Sequence, residues 1–131
     1  MLHPALESHR AAFAGRAVCV TGGAGVIGSH LADVLVSLGA RVRIIDDLSN
    51  GRDANLSGPA SAAETVRASI LDPAATARAV AGCDTVFHLA ALGSVPRSTE
   101  VPELYEQVNV LGTLRVLEAA RAAGEIGRAH V

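Results

Sequence analysis

Thr21-Gly22-Gly23-Ala24-Gly25-Val26-Ile27-Gly28 fits TGxxGxxG, and its last six residues fit GxGxxG. Glycines at that spacing let a chain turn tightly and bring its backbone against a pyrophosphate. A helix opening there presents unpaired N–H groups to the phosphates. The same chemistry needs an acidic residue about 20 positions on, at the end of the next strand, to accept hydrogen bonds from an adenosine ribose. Asp46 stands there, followed by Asp47. A lone glycine turn or a lone loop carboxylate is ordinary, whereas the two together point to a dinucleotide. A carboxylate at this place also repels the extra phosphate of NADP and so favours NAD, against which Arg43 and Arg52 lie close in sequence.

Elements of the right kind surround these residues. Residues 16–21 (RAVCVT) form a short apolar run with β-branched members that stops at glycine, which reads as a strand. Val26, Ile27, Leu31, Val34, Leu35 and Leu38 recur at three and four, predicting a helix over 26–38 closed by Gly39. A second strand is expected over 41–46, a loop over 47–63, a weaker strand over 64–69, and a helix from Pro73 to about Ala81. Residues 84–90 read as a fourth strand, 91–101 as a loop, and 102–123 as one long helix. Residues 1–15 read as an extension with a short helix over 5–14 and no function. Strands alternating with helices through right-handed crossovers give an α/β chain, a parallel sheet with helices on both faces.

Composition agrees with that class. The 131 residues are half apolar with only 2% aromatic, so the core must be built from Ala, Val, Leu and Ile. The net charge is −2 with both signs interspersed, which points to a small-molecule ligand and away from nucleic acid or a membrane surface. With no apolar run of 18 and no signal-peptide pattern, nothing is expected to span or cross a membrane. Cys19 and Cys83 lack CxxC spacing and sit in or beside apolar runs. They read as buried reduced thiols, not metal ligands or a disulfide, which fits a cytoplasmic protein. No metal site is expected.

In order and spacing, TGGAGVIGSHLAD, IIDDLSNG, VFHLAA and NVLGTLRVLEAAR resemble the nucleotide-binding half of the extended short-chain dehydrogenases/reductases, the NAD-dependent sugar epimerase/dehydratase group. The resemblance spans residues 16–123 and implies a Rossmann-type sheet that binds NAD. It implies that Gly22, Gly25 and Gly28 form the pyrophosphate turn, with Val26 and Ile27 giving N–H groups. It implies that Asp46 holds the ribose while Asp47, Leu48, Ser49, Asn50 and Gly51 line the adenosine side. Ser69 and Ile70 stand where the family often has Asp-Ile beside the adenine. Leu89, Ala90, Ala91 and Leu92 would pass under the nicotinamide half, and Asn109 matches a cofactor-side asparagine. Asn109 is a poor helix former in mid-helix, so something other than helix stability is expected to keep it there, unless it merely faces solvent. His88 is expected to be structural. The loop 92–98 is similar to that of UDP-N-acetylhexosamine 4-epimerases, where it faces the sugar, making Ser94 and Arg97 the substrate candidates. The resemblance also implies a homodimer through helices of this half, including the one from Pro102.

The family's Tyr-x-x-x-Lys pair supplies the base, the ammonium lowering the tyrosine pKa. Here all 11 basic residues are arginine, the one tyrosine is Tyr105, and position 109 is Asn. No catalytic residue is therefore assigned, and the expected function is the NAD-binding portion, 16–124, of a nucleotide-sugar epimerase whose later strands and sugar-binding region are missing. A dehydratase or reductase of the same family, or a non-catalytic NAD-binding module, are the alternatives. Residues 125–131 (EIGRAHV) depart from the family pattern and match one frame of a common sequencing adapter, so a non-native tail is expected there. Without later strands, the fourth strand is expected to be a sheet edge and the last helix to expose apolar surface, with poor solubility the consequence.

Overall fold

Residues 17–21 place apolar side chains on both faces, and in 41–45 Val42 and Ile44 serve one face and Ile45 the other, which suits a parallel sheet covered by helices on each side. The computed structural model of the chain, in which residues 2–124 and the backbone of 128–130 are described, has that architecture. The strands are β1 (Ala17–Thr21), β2 (Arg41–Ile45), β3 (Glu64–Val66), β4 (Thr85–His88) and β5 (Arg128–His130). They form one sheet in the order β3-β2-β1-β4-β5, with every pair parallel. The helices are α1 (Pro4–Glu7), α2 (Arg10–Phe13), α3 (Val26–Ser37), α4 (Pro73–Val80), α5 (Val95–Glu100), α6 (Pro102–Glu106) and α7 (Gly112–Ala123).

Two cores result. Val18, Val20, Val42 and Ile44 pack with Ala32 and Leu35 of α3 on one face, where Phe13 also docks. Cys19, Ile45 and Val86 pack with Ala75, Ala79 and Val80 of α4 and with Val116 and Ala120 of α7 on the other. Small side chains on α4 and α7 let two helices lie close on a sheet that is itself rich in β-branched residues. Asp72 caps α4 by accepting from the Ala74 and Ala75 N–H groups, and Pro73 takes the first turn, where a missing N–H costs nothing. At the other end of α4, Arg43 Nη1 lies 2.8–3.1 Å from the carbonyl oxygens of Arg78, Ala79 and Ala81. Arg43 thus satisfies a helix C-terminus, so its nearness to Asp46 in sequence no longer counts in favour of NADP.

Several expectations are corrected. The helix over 5–14 is two four-residue helices, and the third strand ends at Val66 because Ala68 N–H turns back to the Val66 carbonyl. The loop 91–101 contains α5, for which the Ser94 hydroxyl accepts from the Arg97 N–H as the cap. The single long helix is α6 and α7 joined by a π-helical turn, Gln107–Leu111. β4 is not an edge: Thr85, Val86 and Phe87 pair with Arg128, Ala129 and His130. Of the segment expected to be a tail, residues 125–127 and 131 lie outside the described residues. Apolar surface on the last helix is exposed, at Leu114 and Leu117 of α7 and at Val110 and Leu111 of the π turn. No helix among the described residues is long and apolar enough to cross a membrane.

From β1 the chain moves outward to β2 and β3, then returns to the other side of β1 for β4. The carboxyl ends of β1 and β4 therefore flank the point where the strand order reverses, the place in such sheets where a crevice opens.

Candidate functional site

A cleft opens at that edge, walled by Gly22 and Gly25 from the turn after β1, Ile45 to Asp47 and Ser49 to Gly51 after β2, Ala68 to Ile70 after β3, Leu89 to Leu92 after β4, and Leu104 and Val108. The turn after β1 has no room for a side chain at Gly22 or Gly28. Gly22 takes φ +69°, and a Cβ there would lie 2.8 Å from the Ala90 nitrogen. A Cβ on Gly28 would run into the Gly22 carbonyl oxygen and lie 2.8 Å from the Gly23 Cα. α3 starts directly from this turn, with Ser29 N–H donating to the Gly25 carbonyl as its first helical bond. The N–H groups of Val26, Ile27 and Gly28 are those that helix geometry leaves without a partner. Val26 and Ile27 are each 72% exposed, so the start of α3 is open to solvent.

Asp46 fixes this turn to β2. Its carboxylate, 8% exposed, accepts the Ala24 N–H at 2.9 Å through Oδ2 and the Leu48 N–H at 2.8 Å through Oδ1. A carboxylate offers about four acceptor positions, so capacity for further donors from the cleft is left. The Ala24 carbonyl is held as well, by the Arg52 N–H at 3.0 Å and the Asn55 side-chain amide at 2.8 Å. Asn55 was not singled out from sequence; its place in a polar loop carries no spacing signal. Beyond Asp46, Leu48 adopts φ +63°, a left-handed conformation uncommon outside glycine. The Asp47 carboxylate accepts from both the Ser49 N–H and hydroxyl, holding the loop that follows.

On the β4 side, the fully buried Thr21 hydroxyl accepts from the Leu89 and Ala90 N–H groups at 3.0 and 3.1 Å and lies 2.6 Å from His88 Nδ1. His88 Nε2 lies 2.9 Å from the Thr113 hydroxyl, which donates to the Asn109 carbonyl at 2.7 Å. Burial lowers the His88 pKa below its usual value. On unfolding the ring recovers a pKa of about 6.5, so in the interval between the two values the unfolded chain binds more protons. The His88 contribution to stability is therefore whole above about pH 6.5 and is lost as pH falls toward the folded-state pKa. Denaturation midpoints measured from pH 7.5 down to pH 5 should fall in the native chain and less steeply in His88→Asn. Equal slopes would contradict this account.

The structure gathers most of the residues singled out from sequence. Gly22, Gly25, Asp46, Asp47, Ser49, Asn50, Gly51, Ser69, Ile70, Leu89, Ala90 and Ala91 line the cleft, while Val26, Ile27 and Gly28 open α3 beside it. Leu48 shapes the loop without facing the cleft. Asn109 does not line it either: its Oδ1 accepts the Leu92 N–H at 2.8 Å and its Nδ2 donates to the Leu92 carbonyl at 2.9 Å. Ser94 caps α5 and Arg97 is exposed 3.9 Å from Glu100, both outside the cleft wall. Cys19 and Cys83 are free and buried, and burial pushes the Cys19 thiol up to about 12.

Comparison with known proteins extends this picture. The model of the NAD dependent epimerase/dehydratase family matches residues 18–130. A UDP-glucose 4-epimerase of Mycolicibacterium smegmatis is 46% identical over 108 residues, covering 80% of this chain and 34% of that protein. An epimerase structure from Methanothermobacter thermautotrophicus superposes with a TM-score of 0.88 at 38% identity, over 97% of this chain and 38% of that one. The Thermus thermophilus UDP-glucose 4-epimerase, solved with NAD, superposes with a TM-score of 0.74 at 38% identity, over 82% and 34% of the two chains. The chain spans about a third of the length of the curated relatives it matches.

Proposed function

Because this chain belongs to the NAD dependent epimerase/dehydratase family, we propose that residues 16–124 are the NAD-binding portion of a nucleotide-sugar epimerase of the UDP-sugar 4-epimerase type. The observation that carries this reading is the junction at Ala24, where the glycine turn and the Asp46 carboxylate are joined by a 2.9 Å hydrogen bond inside one cleft. The glycine turn, packed too tightly for a Cβ at Gly22 or Gly28, brings the start of α3 beside the cleft, where its N–H groups would favour the charge of a pyrophosphate. Asp46 would accept from the adenosine ribose, and its charge would disfavour a 2′-phosphate. Ser69 and Ile70 would close the adenine side, and the Leu89–Leu92 backbone the nicotinamide side. NAD, when bound, supplies a reversible hydride acceptor.

With no lysine and a single tyrosine, Tyr105 on α6, this chain holds no Tyr-x-x-x-Lys pair, and no residue of it is given the proton transfer. A dehydratase or reductase of the family shares the cofactor half and is the alternative reading, as is a non-catalytic NAD-binding module. Arg97 is the candidate for a diphosphate or carboxylate of the sugar substrate, since its guanidinium is exposed and its contact with Glu100 is loose. Exposed Val110, Leu111, Leu114 and Leu117 supply the apolar stripe on which a second copy would dock. Buried, unpaired cysteines accord with a cytoplasmic setting.

Calorimetric titration of the chain with NAD, NADP and ADP-ribose tests the reading. NAD and ADP-ribose should bind with similar affinity, because the pyrophosphate and adenosine contacts dominate, and NADP should bind at least about tenfold more weakly, the effect of one unfavourable charge contact. A folded sample that gives no heat with NAD, or that prefers NADP, would overturn it.

A further inference from the structure

The stretch Asn109-Val110-Leu111-Gly112-Thr113 does not face the cleft, yet it touches three of its walls. Asn109 grips both backbone groups of Leu92. Gly112 lies against Ile70, with a Cβ there only 3.0 Å from Ile70 Cγ1. Thr113 reaches His88, and through it Thr21 at the root of the glycine turn. The π turn at 107–111, in which Gly112 N–H bonds to the Gln107 carbonyl, introduces this stretch. Such insertions cost regular helix bonding and are frequent at functional sites.

The hydrogen bonds define a proton order. The Thr21 hydroxyl already accepts from two backbone N–H groups, so its own proton is directed to His88 Nδ1. The Thr113 hydroxyl gives its proton to the Asn109 carbonyl, so it accepts from His88 Nε2. Both ends require the neutral ring with the proton on Nε2. The relay leads from the π turn to the two N–H groups, Leu89 and Ala90, that begin the wall gripped at Leu92 by Asn109.

We propose that Thr113 and His88 are positioning residues of the cofactor cleft, joining the π turn to Thr21 so that the wall from Leu89 to Leu92 is held in register with the Gly22 turn. The proposal rests on the reading of the cleft as an NAD site. A Cβ on Gly22 would lie 2.8 Å from the Ala90 nitrogen, so the wall and the turn are packed backbone to backbone. A small slip of the wall therefore changes the cradle itself.

Two measurements on the full chain test it. Nitrogen NMR of the imidazoles should show His88 as the Nε2–H tautomer at pH 7.5, and Thr113→Val, which removes the Nε2 acceptor at nearly constant volume, should keep that tautomer, held by the Thr21 hydroxyl on Nδ1, while moving the Nε2–H resonance to that of a ring N–H without an acceptor. The NAD dissociation constant should rise about 5–30-fold in Thr113→Val, the range expected for one buried hydrogen bond, while Thr113→Ser, which restores the hydroxyl, should return it to within about twofold of the native value. An Nδ1–H tautomer in the native chain, or native NAD binding left unchanged by Thr113→Val, would overturn the proposal. A folded native chain with the Nε2–H tautomer that binds no NAD would instead overturn the reading of the cleft, and the proposal with it.

Discussion

Gly28→Ala should eliminate measurable NAD binding and destabilise the chain by about 2–3 kcal/mol, the upper part of the range for overpacking a close-fitting site. Gly28 sits in the first turn of α3, and its missing side chain is where the Gly22 carbonyl approaches the helix. An alanine methyl would meet that oxygen and the Gly23 Cα, both backbone atoms that no rotamer change can move. Relief requires α3 to lift away from β1, which shifts the N–H groups of Val26 and Ile27 and loosens the packing of Ala32 and Leu35. Thermal denaturation and calorimetry on the same sample check both halves of the expectation. Native-like affinity in Gly28→Ala would show that the turn is not the cradle.

Asp46→Asn should weaken NAD binding about 30- to 100-fold and lower stability by about 1–3 kcal/mol, the cost of leaving a buried polar group without its partner. Both carboxylate oxygens accept backbone N–H groups, from Ala24 and from Leu48. An amide has one oxygen, so whichever way the substituted side chain turns, one of these N–H groups faces an NH2 donor. The glycine turn or the 47–51 loop is then released, and the negative charge that would accept from ribose and repel a 2′-phosphate is gone. Preference for NAD over NADP should therefore shrink as affinity falls. A variant that keeps native preference would place the selectivity elsewhere in the cleft.

Those two residues were readable from sequence because their chemistry is local. The glycines occupy fixed spacings around one turn, and Asp46 stands at the end of the next strand, so order and distance along the chain carry the information. The α5 helix was readable in principle, since Ser94 with Pro96 is a helix start, but it lies in a segment whose polar residues also suit a loop. The π turn left no trace, because one inserted residue barely disturbs an apolar periodicity that continues through α7. Asn109 was recognised as out of place in a helix, but its partner, the Leu92 backbone, is visible only in three dimensions. The same holds for Thr21, His88 and Thr113, brought together from three elements far apart in the chain. β5, with the sequence Arg-Ala-His, has no apolar alternation from which a strand could be read.

If NAD seats its pyrophosphate on the Gly22–Gly28 turn and its ribose on Asp46, the backbone amides of those two segments must sense it first. Mapping amide chemical-shift changes on titrating NAD into the isotopically labelled chain tests this at the level of single residues. The account predicts the largest, saturable shifts at Gly22, Gly25, Val26, Ile27 and residues 46–51, with smaller ones at Leu89 to Leu92. Saturable shifts centred elsewhere, or none in a folded chain at millimolar NAD, would contradict it.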